Sequence, residues 1–397
     1  MSEILATQIC IIGGGIAGNY LASLLAKDGL APVVIEEHTE IGKPFQCAGI
    51  VSQKLLKLID VPDNLILNRV RRANIISPNL QTITMGGKER PLVIDRVEFD
   101  RHFYLEAKQD GAIYLLGEKA QSFQYLESSQ GVAIQTTKRT IHCKILVAAD
   151  GPHSLVARAF NLSHKTIFGI QQRVRYQHDL DSVSMYFNPK WKELFAWIIP
   201  EGDGICRIGL GGEKNPISYL KTLKKSLGIK EADVLDTQGG NIPIGLPNQV
   251  AFPHILLVGD SASMVKATTG GGIVMLINAG QIAARCIQKS LKTRDMSYGF
   301  LKKHYELPVR RTVGYNLKVH YFVRRVLMRF TAADFNYFFR LYQNETVKHT
   351  IGNEVDMDYL TKVIPKLLRN PHLIKFMIYL MIRNLDLVPE FFRLLVR

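Results

Sequence analysis

Cysteine is scarce in this chain, and none of it stands in a C-x-x-C frame. The five residues (Cys10, Cys47, Cys143, Cys206, Cys286) are scattered over 397 positions. That spacing argues against a zinc knuckle or a redox dithiol, so no metal site is expected and a reducing, intracellular setting fits. Long apolar runs are missing too. The longest in the C-terminal part, residues 373–382, contains Lys375 and is ten residues long, against roughly 20 for a spanning helix, so no transmembrane segment is expected. Nor is a signal peptide: polar residues come first, and residues 8–15 read as a strand entering a glycine turn. Repeats and low-complexity segments are absent. Acid is in short supply, with 35 Asp and Glu against 50 Lys and Arg, a net charge of +15 and an isoelectric point near 9.5. Such a balance suits nucleic acid, an anionic membrane or a negatively charged substrate. No recognised nucleic-acid-binding motif accompanies it, so nucleic acid is not expected as a partner.

What is present is apolar residue in quantity: 47% of the chain is hydrophobic, enough for one large or two ordinary cores. The excess positive charge is concentrated in residues 281–397, which hold 21 Lys and Arg against 9 Asp and Glu. Residues 8–12 and 32–36 read as strands either side of a helix over 16–27, and 140–149 and 254–258 as further strands that run into Asp150-Gly151 and Gly259-Asp260. Between them, residues 169–176, 182–187, 194–199 and 204–211 read as strands of a separate sheet, punctuated by Asn188-Pro189 and Gly202-Asp203-Gly204. From Gly272 onward the pattern is mostly helical. The expected fold is therefore α/β (α+β overall). It combines a Rossmann-like nucleotide-binding domain from residues 1–160 and 245–290, an inserted antiparallel-sheet substrate domain from 161–244 with part of 60–100, and a basic helical region over 291–397.

Gly13-Gly14-Gly15-Ile16-Ala17-Gly18 fits G-x-G-x-x-G in its required context, after a strand and at the opening of a helix. Gly13 permits the tight turn, Gly15 lets the backbone approach a pyrophosphate, and Gly18 allows close helix packing; the helix start offers free N–H groups and a positive dipole end. Glu36, 23 positions after Gly13, is placed to accept hydrogen bonds from ribose hydroxyls. This unit alone serves NAD and FAD equally.

Three further segments bear on that choice: Ala149-Asp150-Gly151-Pro152-His153-Ser154 followed by Arg158, Leu257-Val258-Gly259-Asp260-Ser261-Ala262, and Arg96 within residues 94–100. Together with the glycine motif and taken in chain order, they resemble the motifs of the glutathione-reductase-type FAD superfamily, in its p-hydroxybenzoate-hydroxylase-like branch. Taken singly, Asp150-Gly151 also reads as an ordinary turn, Arg96 as a surface ion pair and Asp260 as a helix cap.

Residues 42–49, with Pro44 and Cys47 in a P-x-x-C frame, resemble the geranylgeranyl reductase family, as do Phe195-Ala196-Trp197-Ile198-Ile199-Pro200 and the run Thr268-Thr269-Gly270-Gly271-Gly272-Ile273. The family often has proline where Ala267 stands and Phe where Ile199 stands. Phe195-x-Trp197-x-Ile199-Pro200 is also one aromatic short of the W-x-W-x-I-P signature of flavin-dependent halogenases. The resemblance covers roughly residues 8–290. It implies FAD as cofactor, held by Gly18, Glu36, Cys47, Ala48, Arg96, Ala120, Asp260, Gly272 and Ile273, with Asp150 and Gly271 in the matching motifs, and a substrate cavity walled by Phe195, Trp197 and Ile199.

The implied activity is reduction of isoprenoid C=C bonds, with an isoprenoid lipid as substrate. Cys47 is then either a functional thiol, a candidate catalytic residue, or a small apolar residue packed by the ring. Phe195 and Trp197 are either tunnel walls or plain core aromatics. An FAD-dependent monooxygenase or halogenase of the same fold, and a non-catalytic electron-transfer flavoprotein, are the competing implications. No second glycine fingerprint for NAD(P)H is visible, so an external donor, ferredoxin or NAD(P)H, is expected. The interleaved basic and aromatic residues of 318–330, and of 374–397 with Phe376, Phe391 and Phe392 among Lys375, Arg383, Arg393 and Arg397, fit two arrangements: helices lying on an anionic membrane surface, with a peripheral cytoplasmic location, or an amphipathic cap packed on the enzyme.

Overall fold

The computed structural model describes residues 4–127, 130–162, 165–354 and 356–395; Arg397 lies outside them. The strand Ile4–Ile12 ends in four consecutive buried residues, Ile9 to Ile12. Burial on both faces marks the centre of a parallel sheet. It pairs in parallel with Thr140–Ala148 on one side and Val33–Glu36 on the other. Beyond these lie the parallel strands Ile255–Leu257 and Ile113–Leu116. Val132–Thr136 and Ala120–Tyr125 add an antiparallel flap to Thr140–Ala148. The helix Ile16–Lys27 buries Tyr20, Leu21 and Leu25 and packs against both Arg96–Gln109 and Ile273–Thr293. Since Ile4–Ile12, Val33–Glu36, Thr140–Ala148 and Ile255–Leu257 run the same way, their carboxyl ends share one sheet edge, where such folds bind nucleotides.

The second sheet has seven strands in the order Val234–Ile244, Lys165–Arg175, Ile205–Gly212, Ala196–Gly202, Ser182–Tyr186, Arg72–Ile76, Thr82–Gly86. Two features differ from expectation. The strand expected over 194–199 starts at Ala196 and continues to Gly202, leaving Phe195 just ahead of it. The strand Val234–Ile244 was not expected; its Gly239, Gly240 and Pro243 weaken the pattern of a strand. It is tolerated because it is an edge strand, where a proline need not donate to a neighbour. A small sheet, Ile50–Val51, Leu92–Ile94 and Ile66–Arg69, leads into Asp95, whose carboxylate caps the helix Arg96–Gln109.

Beyond Ile273–Thr293 the chain is helical. From Tyr298 to Leu327 one rod runs through two wide π turns, Lys302–Glu306 and Arg310–Gly314, on either side of Pro308. Proline lacks the N–H and crowds the carbonyl four residues back, so a helix accommodates it by locally changing its winding. The following helices, Ala332–Tyr342 and Glu345–Glu354, press Phe335, Phe339, Tyr342, Val347 and Ile351 onto Ile83 and Met85 of the Thr82–Gly86 strand. No helix among the described residues is long and apolar enough to cross a membrane.

Candidate functional site

At the shared sheet edge the chain turns through Gly13 with φ +105°. A Cβ on Gly13 would stand 2.3 Å from the Ala149 carbonyl oxygen and one on Gly18 1.9 Å from that of Gly13, whereas one on Gly15 would meet nothing within 4 Å. Two glycines are therefore required by packing, and the third leaves open room. Glu36, at the end of its strand, accepts the Gly14 N–H at 2.7 Å and the His38 N–H at 2.8 Å, and its Oε1 lies 2.6 Å from His38 Nδ1. His38 carried no signal in the sequence.

Two further strand ends each bring an aspartate. Asp150 accepts the Leu155 N–H through Oδ2 at 2.7 Å, so the turn reading is partly right. Its Oδ1 is buried without a hydrogen-bond partner, and burial pushes its pKa up. A buried carboxylate oxygen of this kind calls for a donor from water or a ligand. Asp260 lies in the short 3₁₀ turn Gly259–Ala262 and caps no helix, which removes the capping alternative. Desolvation raises its pKa to about 6, against the pull of Arg96. Arg96 is not a surface residue. It forms an ion pair with Asp100 at 2.9 Å, the side chains 13% and 9% exposed. Burial opposes its charge, but Asp100 and Cys47 together outweigh burial and hold the guanidinium above its ordinary pKa.

The raised pKa of Asp260 makes a prediction with a definite sign. A folded-state pKa above the unfolded value means that the ionised carboxylate costs the apoprotein stability, fully above about pH 6 and less as pH falls through 6 towards the ordinary carboxylate value. Asp260→Asn should therefore melt higher than wild type at neutral pH without ligand, the gap closing on acidification. On the cofactor role that the resemblance implies for Asp260, the same substitution should weaken FAD binding by roughly tenfold or more, through loss of a charged acceptor. Parallel melting curves and a ligand titration check both.

The loop over residues 42–49 is fastened from the second sheet. Gln171 accepts the Trp197 indole N–H at 3.1 Å, and its amide nitrogen donates to the Cys47 carbonyl at 2.8 Å. Because an indole can only donate, the amide orientation is fixed by this pair. Arg207 donates to the Ala48 carbonyl at 2.8 Å and the Ile94 carbonyl at 3.2 Å, lies over the Phe45 ring and pairs with Glu201, which also holds Arg173. Burial alone would raise Glu201, yet the two guanidinium groups keep it below the ordinary carboxylate value. The half-buried Cys47 accepts the Gly49 N–H on Sγ at 3.3 Å. None of Gln171, Arg173, Glu201 or Arg207 was singled out in the sequence. The available signal was an arginine inside the otherwise apolar strand Ile205–Gly212, where a buried charge demands a partner.

Phe195, Trp197 and Ile199 alternate onto one face, and with Val93, Val183 and Leu194 they form one buried cluster. Trp197 lies over Gly209, where a Cβ would come within 2.6 Å of the indole. Opposite runs the loop over residues 266–272, ending at the start of Ile273–Thr293. A single cavity of about 890 Å³ connects the whole set, from Glu36 through Ala120, Asp150 and Arg96 to Asp260, Gly271, Gly272 and Ile273, then past Cys47 and Ala48 to Phe195, Trp197 and Ile199. Gly18, one helical turn behind the glycine loop, does not line it. A dinucleotide fits this geometry: an open glycine, two underused carboxylates and a continuous space joining them.

Comparison with known proteins agrees with that form. Residues 6–205 match the FAD binding domain family. Digeranylgeranylglycerophospholipid reductase 2 of Methanothermobacter thermautotrophicus is 29% identical over 343 residues, covering 81% of this chain and 87% of that protein. The crystal structure of a geranylgeranyl bacteriochlorophyll reductase-like protein of Thermoplasma acidophilum superposes with a TM-score of 0.81 at 22% identity, over 95% of this chain and 100% of the other. That of p-nitrophenol 4-monooxygenase from Pseudomonas putida gives 0.70 at 14% identity, over 94% and 98%.

Proposed function

The chain belongs to the FAD binding domain family and binds FAD, and from that premise we propose that it is a reductase that saturates isolated C=C bonds in isoprenoid chains of membrane lipids. The supporting observation is the continuity of one cavity from the dinucleotide cradle to an apolar wall of Phe195, Trp197 and Ile199. In the cradle, Glu36 and Asp260 would take the ribose and ribityl hydroxyls, and Gly13, Gly15 and the start of Ile16–Lys27 the pyrophosphate. Arg96, Ala48, Ala120, Gly271, Gly272 and Ile273 would border the ring, with Asp150 between the two halves.

FAD, bound and reduced, supplies hydride. An isolated double bond is electron-rich, so hydride adds only if a proton arrives first or together with it. The chain's task is to keep the cavity dry, to hold the bond near the ring and to deliver that proton. Cys47 is the proposed donor. Its sulfur accepts the Gly49 N–H and lies beside the Arg96 guanidinium, and its S–H would be the proton delivered to the substrate. Trp197 would steady positive charge developing on the tertiary carbon through its π face. Electrons would come from outside, from ferredoxin or NAD(P)H.

The test is to mix dithionite-reduced protein with geranylgeranylated phospholipid without oxygen and to weigh the product. Gain of two hydrogens per bond supports the reading. No change in the lipid without oxygen, but oxygenated or halogenated product once an aromatic substrate, oxygen and halide are supplied, would favour a monooxygenase or halogenase. Trp197→Ala should lower the rate of prenyl-dependent flavin reoxidation about tenfold or more; unchanged rate and affinity would count against its role.

The same lipid reading extends to a membrane surface. Within the helical region, Val319, Phe322, Phe376 and Phe391 face the protein interior and Arg324 reaches the Glu193 carbonyl, so these residues act as a packed cap. Exposed instead are Ile378, Ile382, Leu385 and Phe392, at 51%, 66%, 71% and 56%, with exposed Lys375 and Arg393 beside them. This patch is our proposed contact with anionic lipid, each nearby basic residue adding about 1 kcal/mol. Ile382→Asp with Leu385→Asp should abolish flotation with anionic liposomes while leaving the melting temperature in place.

A further inference from the structure

The helical region carries no sequence motif, yet it supplies the groups that fasten the glycine-rich loop. Thr268 Oγ1 lies 2.6 Å from His320 Nδ1, and His320 Nε2 lies 3.1 Å from the Asp358 carbonyl oxygen. A carbonyl only accepts, so Nε2 carries the ring hydrogen and the bare Nδ1 accepts from the Thr268 hydroxyl. Two residues earlier on the loop, Lys266 donates to the Asp358 carboxylate at 2.6 Å and to the Met357 carbonyl at 3.0 Å. Its backbone N–H donates to the Gly271 carbonyl at 3.0 Å.

All three partners are buried: His320 is 1% exposed, Lys266 5% and Asp358 0%. The Asp358 turn is itself pinned by Asp356, which accepts the Asp358 and Tyr359 N–H groups and pairs with Lys54 at 3.0 Å. Desolvation, reinforced by Lys266 and opposed by Asp358 and Asp356, presses His320 down to about 4. The ring therefore stays neutral and keeps one tautomer. A buried network with this much fixed geometry specifies a position, and the chemistry proposed above makes no use of it.

We propose that His320 and Asp358 are positioning residues that, through Thr268 and Lys266, hold the loop over 268–272 against the flavin ring and so set the preference of the site for reduced over oxidised FAD. The inference rests on the flavin reading of this cavity. Reduction adds negative charge to the ring system. Backbone N–H groups and the positive end of the Ile273–Thr293 helix favour that charge only while the loop stays close, because such dipolar stabilisation falls off within a turn.

The experiment uses the full-length holoprotein and compares Thr268→Val, Thr268→Ser, His320→Asn and the double variant Thr268→Val/His320→Asn. Oxidised FAD affinity is read from flavin fluorescence and the midpoint potential from equilibration with a reference dye. Thr268→Val should leave the hold on oxidised FAD nearly unchanged and weaken that on reduced FAD about tenfold, a fall of about 30 mV for a two-electron couple. His320→Asn should give the same shift, the double variant no more than either alone, and Thr268→Ser the wild-type potential. An unchanged potential in Thr268→Val overturns the proposal, even if His320→Asn does not fold. Wild-type protein that takes up no flavin overturns the underlying reading of the cavity instead.

Discussion

Gly18→Val protein is expected to purify without flavin colour. The hydrogen at Gly18 faces the Gly13 carbonyl, and even a methyl group there would come within 1.9 Å of that oxygen and 3.3 Å of Ile11. Neither neighbour is a flexible side-chain tip: Gly13 is tied to the Ile35 carbonyl at 2.8 Å and Ile11 is in the sheet core. Valine therefore pushes the helix away from the turn proposed to meet the pyrophosphate. Overpacking of this kind costs about 1–3 kcal/mol, occasionally more, which corresponds to a loss of affinity of about 5- to 150-fold if it falls on the cradle. Gly15→Ala separates folding from binding. Its added carbon meets no protein atom, so the variant should melt as wild type does and still hold FAD poorly. Full affinity in Gly15→Ala would remove the phosphate from that loop.

The second large effect belongs to Arg207. Arg207→Met leaves the Ala48 and Ile94 carbonyls without their donor and Glu201 with one guanidinium in place of two. Breaking a buried ion pair from one side costs about 3–5 kcal/mol, to be read from urea unfolding. Pairing it with Glu201→Gln should recover part of that loss, because no carboxylate is then left underpaired. The substitution should also loosen the loop that carries Cys47. Cys10, Cys143, Cys206 and Cys286 are buried and Cys47 is not, so alkylation by a thiol reagent reports on this loop. Faster labelling in Arg207→Met is the expected result, and equal rates with equal stability would show that the clamp is idle.

The sequence was most legible where one local pattern decides the outcome. The run to Ile12, the turn at Gly13 and the acidic end at Glu36 lie within a single βαβ unit, and each strand read for the second sheet is present within a few residues. Legibility fails where partners are far apart. Arg207 meets Ala48 across 159 positions and Lys266 meets Asp358 across 92, and no short window contains both members. Val234–Ile244 was missed for another reason: its glycines and proline are loop signals that an edge position overrides. The aromatic residues of the helical region were legible as amphipathic, but which face is covered by protein depends on the Thr82–Gly86 strand, far away in the chain.

The two wide turns flanking Pro308 govern which azimuth the rest of that rod presents. Each holds one residue more than an α turn, and every residue advances the helix by about 100°. Wound without them from Tyr298, the rod would bring Lys318, now in solvent, to the angular slot occupied by buried His320. Rewinding either wide turn as an α turn with every residue kept would thus act like mis-indexing a gear, swinging the imidazole by about 100° and out of reach of Thr268 without altering any residue that touches it, whereas deleting one residue from that turn would leave His320 in its slot.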